Sequence, residues 1–168
     1  SDFAKWETDG KIPNLGRVKD HFSRSAYLRV IRGKDKAATT LAKRSEQVET
    51  LLAKAQGFFI AGRDQDAINS LTEVFKIASD NADAHLLMGR LQERRGNLEG
   101  AITSLKAAVF WNSKLIAGHV LLGRIYFQKN ELVQARNHLK QALTLNPEDR
   151  DALALKRLID SENKLENK

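Results

Sequence analysis

Histidine is the residue type in this chain best suited to metal binding or proton transfer, and two of the four histidines are regularly spaced. His85 and His119 lie 34 residues apart. Two imidazoles could begin a metal site or supply a general base. No Asp or Glu recurs beside them at ligand spacing, and His21 and His138 lie at unrelated positions. We therefore predict that His85 and His119 are helix-packing residues.

Other catalytic or cofactor-binding patterns are missing from the sequence. It contains no cysteine, which excludes disulfides and thiolate metal sites. It also contains no Ser/His/Asp arrangement, no P-loop and no glycine-rich phosphate loop. No apolar run reaches the ~18 residues that a membrane-spanning helix needs. We expect a protein that is not an enzyme and uses no cofactor or metal. It is expected in the cytoplasm, or in the periplasm if a targeting segment has been removed.

The histidine spacing belongs to a 34-residue period that extends through most of the chain. The same step relates four further sets: Ala67, Ala101 and Ala135; Leu71, Leu105 and Leu139; Gly89 and Gly123; Gly62 and Gly96. A period of about 20–50 residues indicates a solenoid, in which each unit buries its apolar face against the next. We place three units at residues 48–81, 82–115 and 116–149.

Each unit is predicted to be a pair of antiparallel helices. Glycine and asparagine tolerate the left-handed conformation that ends a helix. On this basis the turns are Gly62-Arg63, Gly96-Asn97 and Asn130-Glu131. Ala101 is expected where the second helix crosses the first, with Gly89 opposite, so that small side chains let the two backbones approach.

A capping helix is predicted after the third unit, within a last segment of residues 150–168 that also includes a tail. Asn146-Pro147-Glu148-Asp149 is typical of a helix start, with Asn146 as the N-cap and Pro147 in the first turn. The helix is expected over about residues 147–163. It has one apolar and one polar face, as the end of a repeat array requires.

Residues 1–47 do not follow the period and form a predicted basic arm, with 11 Lys and Arg against 6 Asp and Glu. The pattern predicts a helix over 17–32, a break at Arg32-Gly33-Lys34-Asp35, and a second helix from residue 35 to 61. Phe3 and Trp6 are candidate anchors for the arm, on the outside of the first unit or in a groove. A basic arm suits nucleic acid, an anionic membrane or an acidic protein. The candidate arm contacts are Arg17, Arg24, Arg29 and Arg32.

The units share a pattern of small and large apolar residues around the turn between their two helices. The pattern is most complete in the third unit, where it comprises Leu122-Gly123, Tyr126, Asn130, Ala135, Leu139, Ala142 and Pro147. This layout resembles the tetratricopeptide repeat over residues 48–149. The second unit departs from it at Gln92, and the first has Lys54-Ala55 where the family has Leu-Gly. The resemblance implies an all-α fold, a right-handed superhelical array of antiparallel helix pairs with an N-terminal helical extension.

The resemblance also implies that the first helices of the units line a concave, protein-binding groove. The groove residues, carried over by position, are Leu52, Gln56, Phe59, Leu86, Arg90, Arg94, Val120, Arg124 and Phe127. Arg90 and Arg124, one repeat apart, would pair with acidic groups of a ligand. In the alternative reading, the apolar members are partly buried between helices and the arginines are solvated.

One subtype of the family grips a peptide's terminal carboxylate with Lys, Asn, Asn, Lys and Arg. The matching positions here hold Leu52, Gln56, Leu87, Ala117 and Leu121. Charged and amide donors are therefore absent from those positions, and we exclude this subtype.

The resemblance favours a non-catalytic scaffold or adaptor that binds a peptide or helix of a partner, with or without acidic residues, within an assembly or secretion machinery. A homo-oligomer is left open. One alternative is a regulator that binds nucleic acid or an anionic surface through the basic arm. Nucleic acid is not favoured, because no known nucleic-acid motif is present, and membrane contact is expected only indirectly. Another alternative is a secretion-type chaperone or self-assembling scaffold.

Overall fold

The computed structural model describes the backbone of residues 24–166 and the side chains of residue 33 and residues 37–162. Every regular element in this part of the chain is an α-helix, which confirms the predicted all-α fold. In chain order the helices are α1 (Arg24–Ile60), α2 (Asp64–Ile77), α3 (Ala82–Arg94), α4 (Leu98–Trp111), α5 (Ile116–Gln128), α6 (Leu132–Leu145) and α7 (Arg150–Glu166).

Internal contacts divide the chain into two compact regions, residues 1–45 and residues 46–168. Within the first region, the described residues are the N-terminal part of α1. The second region contains the rest of α1 and helices α2 to α7. Over residues 24–166, none of the helices combines the length and the apolar character needed to cross a membrane.

Helix α1 is 37 residues long and passes through Gly33 without interruption. The break predicted at Arg32-Gly33-Lys34-Asp35 is therefore wrong. One glycine inside a helix costs only about 1 kcal/mol, whereas a proline would remove a backbone hydrogen bond and clash with the preceding turn. No proline occurs in α1. Of the predicted arm contacts, Arg24, Arg29 and Arg32 belong to α1, while Arg17, like Phe3 and Trp6, lies outside the described residues.

The helices after α1 alternate between two classes that each keep the 34-residue step. Helices α3, α5 and α7 begin at residues 82, 116 and 150, and α2, α4 and α6 begin at residues 64, 98 and 132. We call α3, α5, α7 and residues 46–60 of α1 the A helices, and α2, α4 and α6 the B helices. These starts agree with the predicted units, whose limits stay a prediction.

Each of the first three A helices is joined to its B helix by a turn with one left-handed residue. These residues are Gly62, Gly96 and Asn130, with φ of 72°, 76° and 60°, as the sequence predicts. The amide of the following residue donates to a carbonyl five residues earlier in all three turns. The bonds are Arg63 to Phe58 (2.9 Å), Asn97 to Gln92 (2.9 Å) and Glu131 to Tyr126 (2.8 Å). This is the Schellman pattern, which satisfies carbonyls left unpaired at the end of a helix.

Within a unit, the A and B helices approach closely at the predicted small residues. A Cβ atom on Gly89 would lie 2.6 Å from Leu105 Cγ and 3.4 Å from the carbonyl oxygen of Ala101. At Gly123 it would lie 3.3 Å from the carbonyl oxygen of Ala135. The predicted crossing is therefore confirmed in the second and third units, where the A-helix glycine contacts the B-helix backbone.

Buried apolar side chains form two clusters that hold the helices in place. The first extends from Val48 on α1 to Leu91 on α3 and includes Leu71 of α2. The second extends from Ala101 on α4 to Ile159 on α7. The A helices therefore keep one face in the core and leave another face exposed or half-buried.

Helix α7 begins at Arg150, not at the predicted Pro147. The N-cap is Asp149, whose Oδ1 accepts a hydrogen bond from the Ala152 amide at 2.9 Å. Asn146 instead ends α6 with extended backbone angles, φ −145° and ψ 103°. The prediction is wrong because Asn146 Oδ1 accepts from the Glu148 amide at 3.1 Å in a turn between the two helices, and Asp149 caps α7 instead.

Candidate functional site

The nine predicted groove residues all lie on A helices, three on each of α1, α3 and α5. We call the exposed and half-buried members the A-helix surface: Leu52, Gln56, Phe59, Leu86, Arg90, Arg94, Arg124 and Phe127. Val120 is different, because only 6% of it is exposed and it belongs to the second core cluster. Val120 therefore contributes to the core and offers little surface to a ligand.

Phe59 lies beneath two guanidinium groups from the next A helix. The Cζ atoms of Arg94 and Arg90 are 3.9 Å and 4.9 Å from the centroid of the Phe59 ring. A guanidinium at this distance is attracted to the negative face of an aromatic ring. The structure therefore brings together three predicted residues from α1 and α3.

Arg94 also makes polar contacts with the first unit. Its Nη1 donates to the carbonyl oxygen of Phe59 at 2.8 Å, and its Nη2 forms an ion pair with Asp64. Asp64 is the first residue of α2, where the helix dipole favours a negative charge. Arg94 thus joins the first two units, and its charge is compensated within the chain.

Arg124 on α5 is compensated in the same way by Glu93 on α3. Its Nη2 donates to both carboxylate oxygens at 2.9 Å and 3.0 Å, and its Nε donates to Oε1 at 3.2 Å. The Glu93 side chain is only 18% exposed. Because the carboxylate neutralises the guanidinium, Arg124 has less positive charge to offer a ligand than its sequence position suggests.

Arg90 is the cation on the A-helix surface that keeps its charge available. Among the described residues, no carboxylate lies within ion-pair distance of Arg90, and its exposed guanidinium lies over Phe59. Leu86 and Phe127 are half-buried against the second core cluster, and Leu52 is half-buried against the first. The arrangement can therefore bind an apolar segment and one carboxylate.

Each of the two repeated histidines is hydrogen-bonded to the loop that precedes its own helix. Nε2 of His85 donates to the Ser79 carbonyl oxygen at 2.9 Å, and Nε2 of His119 donates to that of Ser113 at 3.3 Å. Serine carbonyls 34 residues apart thus receive equivalent bonds, in agreement with a helix-packing role. Within the described part of the chain, no group of three or more His, Asp or Glu could hold a metal ion.

The contact between His119 and His138 was not predicted. Their Nδ1 atoms are 3.3 Å apart, on α5 and α6. Because the Nε2 of His119 must donate to a carbonyl, its Nδ1 accepts in the neutral ring, and His138 donates from Nδ1. The His138 ring also stacks on Tyr126, with centroids 5.6 Å apart. The sequence gives no signal for this pair, because His138 is not related to another histidine by the 34-residue step.

Burial, followed by electrostatic interaction with His119 and Lys106, lowers the pKa of His138 from 6.5 to about 4. Lys106 approaches from α4, with its Nζ 5.8 Å from the Tyr126 ring centroid. The His138 ring is consequently neutral near pH 7, consistent with a single N–H that it donates from Nδ1.

A second ion pair between units resembles the pair of Arg94 and Asp64. Lys129, just after α5, lies 2.6 Å from Glu99 in the first turn of α4 and 2.9 Å from Glu131. Hydrogen bonds to Glu99 and then Glu131 raise the pKa of Lys129 above its usual range. In both cases a cation at the end of an A helix meets an anion at the start of the preceding B helix, as the two helix dipoles favour.

Phe110 and Trp111, at the end of α4, form an exposed aromatic pair away from the A-helix surface. They are 75% and 52% exposed, and their rings meet edge to face with centroids 5.0 Å apart. Exposed aromatic residues of this size are enriched at binding hot spots.

The comparisons with known proteins agree with this fold. The sequence matches family profiles described as Tetratricopeptide repeat over residues 58–117 and 116–149. No curated protein sequence matches the chain.

Several solved structures share its fold. The type III secretion translocator chaperone SycD of Yersinia enterocolitica is 17% identical, with a TM-score of 0.67 over 74% of this chain and 88% of that protein. MamA is 21% identical, with a TM-score of 0.65 over 88% and 89%. The second TPR domain of human RPAP3, solved with an HSP70 peptide, is 18% identical, with a TM-score of 0.64 over 70% and 98%. At these identities the likeness shows the fold.

Proposed function

Because the chain belongs to the tetratricopeptide repeat family, we propose that it is a non-catalytic scaffold that binds a peptide or helix of a partner on its A-helix surface. The fold itself supports a protein-interaction role. The RPAP3 domain with the same fold was solved with a peptide bound. Assignment to an assembly or secretion machinery stays a prediction.

The observation that carries the proposal is the environment of Arg90. Its guanidinium is exposed, lies over Phe59, and has no carboxylate partner among the described residues. Half-buried Leu86 lies one turn away on the same helix. A side chain that presents unpaired donors beside apolar surface can fix the position of a ligand carboxylate while the apolar groups supply buried area.

This chemistry points to an apolar segment with an internal acidic residue. A terminal-carboxylate clamp is not part of the proposal, because Leu87 and Leu121 are only 5% and 9% exposed. Both are core leucines at positions where the clamp subtype has polar donors. Recognition is therefore proposed to depend on side chains within the segment and to tolerate a blocked C-terminus.

The experiment is selection of binding peptides from a random display library, followed by calorimetry on one selected peptide. We expect enrichment of sequences that combine large apolar residues with Asp or Glu. The Arg90→Glu variant should bind the selected peptide at least ten-fold more weakly, because attraction becomes repulsion. Arg95→Glu makes the same charge change on an exposed residue just past the end of α3 and should bind as the wild type does.

Chemical-shift mapping gives the second readout. Amide shifts caused by the peptide should concentrate on α1, α3 and α5. The proposal fails if Arg90→Glu and Arg95→Glu weaken binding equally, or if the shifts concentrate on the B helices. Amidation of the peptide's C-terminus should leave its affinity unchanged.

A further inference from the structure

A groove of about 360 Å³ lies between α6 and α7, outside the A-helix surface. Its apolar lining includes Leu139 and Leu143 from α6 and Ile159 from α7. Lys140, Lys156 and Asp160 are among its polar lining. Neither lysine has an ion-pair partner among the described residues, and both are exposed. The groove thus combines apolar side chains with two available positive charges.

The 34-residue step explains why a groove exists at this place. One unit earlier, the positions of Leu139 and Ile159 are occupied by Leu105 and Ile125, on α4 and α5. Both are fully buried in a cluster that includes Ala135, Leu139 and Ala142 of the B helix α6. Since α7 begins 34 residues after α5, the groove between α6 and α7 corresponds to the position where a fourth B helix would pack. No helix of the described chain occupies it.

Three residues that line this groove are charged where the equivalent position between α4 and α5 has an apolar or aromatic residue, and Arg136, in place of Ile102, is one of them. Lys156 replaces Leu122, and Asp160 replaces Tyr126, whose ring stacks on His138 of α6. Lys140 keeps the positive charge of Lys106. A helix packed here would therefore meet a narrower apolar floor than α6 does one unit earlier, with Lys156 in place of a buried leucine and Arg136 in place of a buried isoleucine.

We propose that the groove between α6 and α7 binds an acidic amphipathic helix of a partner protein, placed as a fourth B helix. Its apolar stripe would lie on half-buried Leu143, above Leu139 and Ile159, which are only 7% and 2% exposed. Its carboxylates would pair with Lys140 and Lys156. Association of two copies through this groove is disfavoured, because a two-fold contact would bring the same lysines together. This site is separate from the A-helix surface and does not depend on the proposed function.

The test uses a peptide derived from the helix that occupies the equivalent position. The probe is an end-blocked, fluorescently labelled peptide of residues 131–146 with Gln134→Glu and Gln141→Glu, which lie one helical turn on either side of His138, the residue of α6 that contacts α5. Its control is the unaltered, basic sequence. Binding to the full chain is measured by fluorescence anisotropy. We expect saturable binding of the acidic probe, at least ten-fold weaker binding of the basic control, and loss of affinity with added salt.

Charge reversal on the protein provides the decisive comparison. The variant with Lys140→Glu and Lys156→Glu should bind the acidic probe at least ten-fold more weakly and the basic control more tightly. Arg90→Glu should leave both affinities unchanged, which separates this site from the A-helix surface. Circular dichroism verifies that the variant keeps its helices, as expected for two exposed side chains.

Three outcomes would overturn the proposal. The first is no saturable binding of the acidic probe to the wild type. The second is equal binding of that probe to the charge-reversed variant. The third is a dimer of the wild-type chain in sedimentation experiments that the same two substitutions dissociate, which would identify a second copy as the occupant.

Discussion

Arg124 and Glu93 lie on successive A helices, 31 residues apart in sequence, and the guanidinium of one donates to both carboxylate oxygens of the other. The pair joins α5 to α3. It also removes from the A-helix surface the second positive charge that the repeat spacing predicts, so that Arg90 is left as the available cation. Its energetic contribution can be separated from its effect on binding.

We expect a coupling energy of ~0.5–1 kcal/mol between Arg124 and Glu93, because the pair is bidentate but partly exposed. Urea denaturation of Arg124→Gln, Glu93→Gln and the double variant measures it. The exposed pair of Arg63 and Asp66 is the matched control, with side chains 60% and 41% exposed. It should couple more weakly, and equal coupling in the two pairs would show that burial of Glu93 contributes nothing.

Gly89→Ala should lower the free energy of unfolding by about 1–3 kcal/mol, because the added Cβ would lie 2.6 Å from Leu105 Cγ in a fully packed crossing. Gly57→Ala is the matched control. Gly57 lies within α1, and a Cβ there would meet nothing within 4 Å. It should stabilise the protein by ~0.5–1 kcal/mol through helix propensity alone. Chemical denaturation measures both, and a Gly89→Ala variant as stable as Gly57→Ala would contradict this account of the crossing.

The stability of the folded chain should decrease as the pH falls from about 6.5 to about 4. Over this range His138 is neutral in the folded state, with a pKa of about 4, while its unfolded counterpart takes up a proton near its ordinary pKa of 6.5. The unfolded state therefore binds more protons over this range. The contribution of His138 to the free energy of unfolding is fully present above pH 6.5 and is lost as the pH falls towards 4. Since the side chain is only half-buried, we expect a loss of about 1–2 kcal/mol.

Urea midpoints measured across this pH range test the effect, and an NMR titration of the His138 ring measures its pKa directly. His138→Gln should flatten the dependence over this range. Lys106→Gln removes one of the charges that lower the pKa, so the titration should move upward and the stability loss should become smaller. A folded-state pKa near 6.5 in the wild type would refute the prediction.

Those features that depend on short stretches of sequence were predictable. Gly62, Gly96 and Asn130 were assigned to left-handed turns because few other residue types tolerate that conformation. Gly89 was assigned to a helix crossing because its spacing matched that of Ala101 and Leu105. The prediction of a break at Gly33 is wrong because a weak local preference of about 1 kcal/mol does not end a helix by itself. The prediction of Asn146 as the N-cap is wrong because Asp149, three residues later, accepts the capping hydrogen bond instead.

The candidate site was predicted less completely. The repeat step placed its residues on the A helices, but it did not distinguish Val120 in the core from Leu86 at the surface. That difference depends on how each helix is rotated against its neighbours, which a 34-residue step does not encode. His138 was overlooked because its partner His119 lies on another helix, at a separation unrelated to the period.

The sequence by itself determined the number and order of the repeating helices, their turns and their small contact residues. These depend on backbone preferences and apolar spacing within one unit, and the same pattern is repeated down the chain. Only the tertiary structure decided which charges are compensated: Arg94 by Asp64, Arg124 by Glu93, and Arg90 by none of the described carboxylates. The physical reason is that side chains about 30 residues apart become partners only when their helices pack side by side, and ion pairing requires contact within a few ångströms.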